Sequence, residues 1–238
     1  MTAPSLKQRQ FQEREGAIIS AALKLFDQDQ WQQVTVADIA SEAQIAKGTV
    51  YKHFASKEEL CGRIMLDFHQ GLLETFEQAL PNANTLSLIR DMIRRAFDHY
   101  LAHPAAARVS YACRCNSFIQ RLPDPLRVRG EELDSAFFGF FADVLLQGMR
   151  SGQIPQRPVE QLILPIHAIF DGAMGKIWRN EYQEIPDSDV SLEQFLDIIT
   201  NFVIASIVAP IADDDLPGTT GHKDITQCEK SRLASATH

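Results

Sequence analysis

Apolar residues recur with helical period over nearly the whole of this 238-residue chain, and that pattern constrains the fold more than any other feature. Ile18, Ala21, Ala22, Leu25 and Phe26 follow the i, i+3, i+4, i+7, i+8 spacing of one buried helix face. The same period returns in Leu86, Ile89, Met92, Ile93 and Phe97, in Leu162, Ile163, Ile166, Phe170, Met174 and Ile177, and in Leu192, Phe195, Leu196, Ile199, Phe202 and Val203. There is no strand alternation, no glycine-rich phosphate loop and no solenoid repeat. The expectation is an all-α chain of about nine helices, and 45% hydrophobic content is enough for a sizeable core.

Local signals set the boundaries. A first helix is expected over about 12–29. Thr35, with Asp38 three residues on, resembles a capping box and opens a second helix ending near Ala43. The turn Ala43-Gln44-Ile45-Ala46 has the length that joins helix-turn-helix pairs, and AKGTVYKH forms a short third helix. Ser56 and Glu59 form a second box, opening a long helix to about Leu80. Further helices are expected over 105–118, 126–149 and 159–180, with a last one closing before Pro210. The polar stretch from Asp213 reads as disordered.

The third helix raises a functional question. Val50 and Phe54 are its only clearly apolar residues, so most of its surface is free to meet something else. From Gln44 to Lys57 there is no Asp or Glu, while Lys47, Lys52, Lys57 and His53 fall there, in a chain whose net charge is −8. A locally positive tip on an acidic body fits one specific anionic partner and argues against indiscriminate coating of nucleic acid. The four cysteines at irregular spacing give no disulfide framework, and neither a signal-peptide core nor a membrane-spanning run appears, so a cytoplasmic location is expected.

Three linked blocks carry a family resemblance: Thr-Val-x-x-Ile-Ala from Thr35, Lys-Gly-Thr-x-Tyr-x-His-Phe from Lys47, and Ser-Lys-Glu-Glu-Leu from Ser56. In this order and spacing, residues 15 to 60 resemble the N-terminal domain of TetR-type transcriptional regulators. The resemblance implies a DNA-binding domain at 12–72 (helix-turn-helix about 35–54), a helical ligand-binding and dimerisation domain at 73–211, and a tail at 212–238. It implies a homodimeric repressor that binds double-stranded operator DNA and releases it when a small molecule enters the second domain. Thr35, Tyr51, His53 and Lys57 are assigned to phosphates, and Lys47 and Thr49 to base edges. Lys52 lies on the same outward face, and Gly48 lets the backbone approach the duplex. Three positions depart from the family pattern. Gln30 and Gln44 stand where glycine is usual, and in a left-handed conformation glutamine costs about 1 kcal/mol more than glycine. Ala46 stands where many members have serine, so a cap is missing there.

For the effector, an apolar or aromatic molecule is expected against Phe68, Leu72, Phe97, Tyr111, Phe118, Phe137, Phe141 and Phe170. Arg94, Arg108, Arg114 or Asn116 would anchor a polar end. Dimerisation is expected through Phe195, Ile199, Phe202 and Ile207 with Leu162, Ile166 and Phe170, Gly172 and Gly175 permitting close approach. Two rivals are an all-α enzyme and a helical ligand sensor that does not touch DNA. Cys113 and Cys115 invite a metal or redox site, but residues two apart on a helix face different ways and no matching Cys/His pair is near. His99, His103 and His167 with Asp98 or Asp171 make no clear nucleophile–base–orienter set. No metal and no cofactor are expected.

Overall fold

The computed structural model describes residues 5–28, 30–79, 84–183 and 189–210; the expected tail at 212–238 lies outside them. Ten α-helices and one 3₁₀ turn make up the described residues, without a strand. The helices are α1 (Leu6–Phe26), α2 (Val36–Glu42), α3 (Lys47–His53), α4 (Lys57–Glu77), α5 (Thr85–Ala102), α6 (Pro104–Cys113), α7 (Asn116–Ile119), α8 (Asp124–Arg150), α9 (Glu160–Trp178) and α10 (Leu192–Val208).

α1 begins six residues before its expected start. Ser5 and Gln8 form a capping box, with the Ser5 hydroxyl accepting from Gln8 N–H and the Gln8 amide oxygen accepting from Ser5 N–H. It stops at Phe26, and the 3₁₀ turn Trp31–Gln33 folds Trp31 back onto Phe26 with ring centroids 5.2 Å apart. The box at Thr35–Asp38 is complete. At Ser56 it is half made: Ser56 accepts from Glu59 N–H, while the Glu59 carboxylate accepts instead from Ala55 N–H at 2.7 Å.

The single helix expected over 105–118 is two. Cys115 takes an extended conformation (φ −75°, ψ 143°) and separates α6 from α7. The break lets Phe118 and then Leu122 turn inward, and Leu122 lies so close to Gly62 of α4 that a Cβ there would meet it at 2.5 Å. At this crossing glycine is needed for space.

α1, α2 and α3 form a small three-helix head around Ile18, Ala22, Phe26, Ile39 and Val50. α4 starts in the head and runs unbroken through the expected domain boundary at 72–73. Its most extensive partner is α6, followed by α8 and α5, and its core residues include Leu60, Ile64, Leu66, Phe68 and Phe76. α6 also packs on α1, where Arg108 pairs with Asp27 at 2.5 Å, so the head is tied to the body by two helices.

α10 packs on α5 and α9. Arg90 reaches Asn201 at 2.6 Å, and Arg94 pairs with Glu193 and Asp197. This corrects two sequence expectations. Leu162 and Ile207 are buried within the chain itself and offer nothing to a second copy. The large apolar residues most open on α9 and α10 are Leu164, Ile198 and Phe202, at 67%, 54% and 60% exposure, with Val208 less so at the end of α10.

Candidate DNA-binding head and internal cavity

α2 and α3 meet through a turn that closes in a Schellman arrangement. Ile45 N–H donates to Ala40 C=O at 2.9 Å and Gln44 N–H to Ser41 C=O at 3.1 Å. Gln44 carries the left-handed conformation this motif needs, with φ 54°. The glutamine therefore sits strained where glycine would be relaxed. Gln30 does not, at φ −102°.

α3 is held by Val50 alone among its own residues, with Phe54 buried just beyond its end. Lys47, Gly48, Tyr51 and Lys52 are exposed, and Thr49 and His53 partly so. Lys47 Nζ lies 5.9 Å from the Tyr51 ring centroid, so these two side chains rise together from one face. Ala46 caps α3 without a side-chain bond, as its residue type requires. Gly48 has nothing within 4 Å of where a Cβ would stand. The protein itself does not require glycine there.

Thr35 is exposed at the start of α2, and its two bonds to Asp38 hold that carboxyl below its ordinary range. Lys57 departs from its expected outward role. Its ammonium donates to Val34 C=O at 2.6 Å and Gln32 C=O at 2.7 Å, and lies 5.6 Å and 5.8 Å from the Phe26 and Trp31 ring centroids. Lys57 is a brace that closes the 3₁₀ turn onto α4, because those carbonyls at the end of a short turn need donors.

Sequence reasoning missed the first turns of α1. The Phe11 ring lies 4.1 Å from that of His53, setting the start of α1 beside α3. Lys7 and Arg14, spaced i−4 and i+3 from Phe11, share that side of the helix. The signal was the Ser5–Gln8 box, which moves the helix start upstream of Phe11.

A cavity of about 420 Å³ lies in the body between α4, α5, α8 and α9. Leu72, Phe137, Phe141 and Phe170 line it, as do Phe76, Met92, Phe138 and Ile163. Phe68, Phe97, Tyr111 and Phe118 do not. Phe68 packs against His99 and Tyr100, and Phe97 is fully buried and stacked on Phe170 at 4.7 Å. Tyr111 is exposed, facing Trp178 and Arg114, and Phe118 fills the turn after α6. Of the four proposed anchors only Arg114 reaches the cavity. Arg94 and Arg108 are engaged in the ion pairs given above, and Asn116 opens α7 in the open.

The cavity's polar lining consists of His69, Tyr100, Arg114, Asp134, Glu160, His167 and Asp171. Arg114 pairs with Asp171 at 2.9 Å. His69 Nε2 lies 2.8 Å from Ser110 Oγ of α6, and burial pushes this imidazole down to about 4. Burial likewise raises the Tyr100 hydroxyl to about 12. His99 instead meets Phe68 C=O at 3.1 Å and the His103 ring at 5.0 Å, outside the cavity. Cys61 and Cys113 touch as free thiols in the core, and Cys115 is exposed. Among the described residues no group of three or more His, Cys, Asp or Glu side chains could hold a metal ion, and no helix is long and apolar enough to cross a membrane.

Residues 18–64 match the family described as bacterial regulatory proteins, tetR family. The transcriptional regulator HbdR of an Aromatoleum species is 34% identical over 70 residues, which is 29% of either chain. The transcriptional repressor KstR2 of Mycobacterium tuberculosis is 29% identical over 145 residues, 60% of this chain and 70% of that one. Among solved structures, FadR of Bacillus subtilis, crystallised with stearoyl-CoA, superposes with a TM-score of 0.61 at 20% identity, over 83% of this chain and 99% of that one. That likeness concerns the fold, and it spans the helical body as well as the head. The matched segment falls on α1–α4, so the head of this chain is similar to that of the bacterial regulatory proteins of the tetR family, and the body shares its fold with solved structures of such regulators.

Proposed function

We propose that this chain is a homodimeric transcriptional repressor that binds a palindromic DNA operator through α3 and releases it when a small apolar molecule occupies the body cavity. The carrying observation is α3 itself. It is a short helix without a side-chain cap that buries one side chain, Val50, and presents Lys47, Gly48, Thr49, Tyr51 and Lys52 outward. In the head, Thr35, Tyr51 and His53 suit phosphates, which position the protein, and Lys47 and Thr49 suit base edges. KstR2's description as a repressor supports the direction of control, and the stearoyl-CoA bound by FadR supports an apolar occupant.

Two copies are needed to read two half-sites about 34–36 Å apart or a multiple of that distance. Ile198 and Phe202, one turn apart on α10, with Leu164 on α9, supply an apolar surface for that pairing. A dimer binding DNA in the cytoplasm is the reading these features support.

Coupling has a physical route. α4 carries the Lys57 brace at one end and His69, Leu72 and Phe76 of the cavity wall further along. His69 also contacts Ser110 on α6, which packs on α1. An occupant that displaces His69 acts on both supports of the head. It shifts DNA affinity only by as much as it prefers the released arrangement.

The test is fluorescence anisotropy with DNA from upstream of the chain's own gene. Salt-sensitive, saturable binding is expected, and Lys47→Ala and Tyr51→Ala should weaken it with helicity and dimerisation intact. Unchanged affinity in both variants would move the binding surface elsewhere.

A further inference from the structure

The cavity wall is aromatic and its charge is one-sided. Six rings face it, those of Phe76, Tyr100, Phe137, Phe138, Phe141 and Phe170. Three carboxylates line it, Asp134, Glu160 and Asp171, against one guanidinium, Arg114. That guanidinium is already neutralised by Asp171 at 2.9 Å. Asp134 and Glu160 make no ion pair among the described residues; partial desolvation and the neighbouring Glu131 raise the Asp134 carboxyl above its ordinary value, and His167 lies beside it. Burial holds both cavity histidines below their ordinary values, His69 at about 4, so neither adds positive charge at neutral pH. Two negative charges, on the exposed Asp134 and Glu160, are therefore left in excess at the solvent-facing mouth of the cavity.

An anion entering this space would lose its hydration and meet like charges, or it would have to pull Arg114 from Asp171 and leave that carboxylate unpaired. A cation gains twice. Ring faces attract it, and carboxylates near an apolar wall act more strongly than they do in water. A volume of about 420 Å³ lies within the usual range for small-molecule sites.

We infer that the cavity takes a lipophilic cation, an amine or quaternary onium carried on an aromatic or bulky apolar body, and discriminates against carboxylates and phosphate esters. The onium group sits against the rings of Phe137 and Phe141 on the side of Asp134 and Glu160. The apolar body fills the space toward Met92 and Ile163. This assignment rests on the cavity being the effector site, and it adds the charge of the effector.

Tetraphenylphosphonium and tetraphenylborate, nearly equal in shape and opposite in charge, test it on the full chain. Trp178, whose ring lies 6.5 Å from that of Tyr100, gives a fluorescence signal beside the cavity, and calorimetry gives the affinities. The phosphonium should bind at least about tenfold more tightly than the borate. The double variant Asp134→Asn, Glu160→Gln, in exposed residues, should erase most of that preference, and Leu72→Trp should block both probes by filling the space. Equal or tighter binding of the borate overturns the inference. So does a preference that survives the double variant, phosphonium binding that survives Leu72→Trp, or failure of both probes to bind. The effector reading is separable. Phosphonium that binds in the cavity without altering operator affinity upholds the charge assignment and sinks ligand control. Borate that alone binds and releases DNA does the reverse.

Discussion

Gly48→Ala separates what the protein needs at this position from what DNA needs. Gly48 is the second residue of α3, and no protein atom lies within 4 Å of the added methyl. Its backbone is not among the positive-φ positions. The folded state therefore accepts alanine without strain. The unfolded chain loses conformational freedom, and the helix gains by Ala over Gly, together about 0.5–1 kcal/mol of stability. For a chain of this size that raises the melting temperature by about 1–4 °C. If the third helix lies against a duplex with its backbone at Gly48 close to the phosphates, the same methyl has no room. Operator affinity then falls by about tenfold or more while the fold is firmer. Thermal unfolding and anisotropy on one preparation measure both. Raised stability with unchanged affinity would refute close backbone approach at Gly48. Lowered stability would refute the helix argument itself.

Three further outcomes follow from the same geometry. Lys57→Met keeps the stem beside Phe26 and Trp31 but removes both donors to Gln32 and Val34. It should cost about 1–3 kcal/mol in urea unfolding and leave the salt dependence of DNA binding unchanged, whereas Lys47→Ala should flatten that dependence by about one unit per site. Folded His69 gives up its proton at about 4 and the unfolded chain at about 6.5, so the unfolded state holds more protons between those values. Stability is then complete above about pH 6.5 and falls by up to roughly 3 kcal/mol as pH drops toward 4; urea midpoints for His69→Gln should show a shallower decline over that window. Phe202→Glu, at an exposed position on α10, should shift sedimentation toward monomer with helicity retained, and an unaffected dimer would move the interface off this surface.

How much of this was legible in the sequence depends on the range of the interaction involved. The helical class, the Thr35 box and the left-handed turn at Gln44 rest on contacts within five residues along the chain, and such contacts leave a periodic or fixed-offset trace. The start of α1 was equally local, and it was missed because a Ser5–Gln8 box precedes a polar stretch without an apolar face. Lys57 is different. Its outward role looked reasonable beside Lys47 and Lys52, but its partners are carbonyls 23 and 25 residues away, brought to it by the turn that follows α1. The cavity is different again. Phe97 and Phe170 look alike in sequence, yet one is sealed in the core and the other faces the space, because helix crossings decide which side of an apolar face meets a void. The break at Cys115 likewise follows from Leu122 docking on Gly62, sixty residues earlier in the chain. Sequence period alone determined which faces are apolar and which helix is left polar. Only the packed structure decided which of those faces close on each other, which charges find partners, and that Asp134 and Glu160 do not.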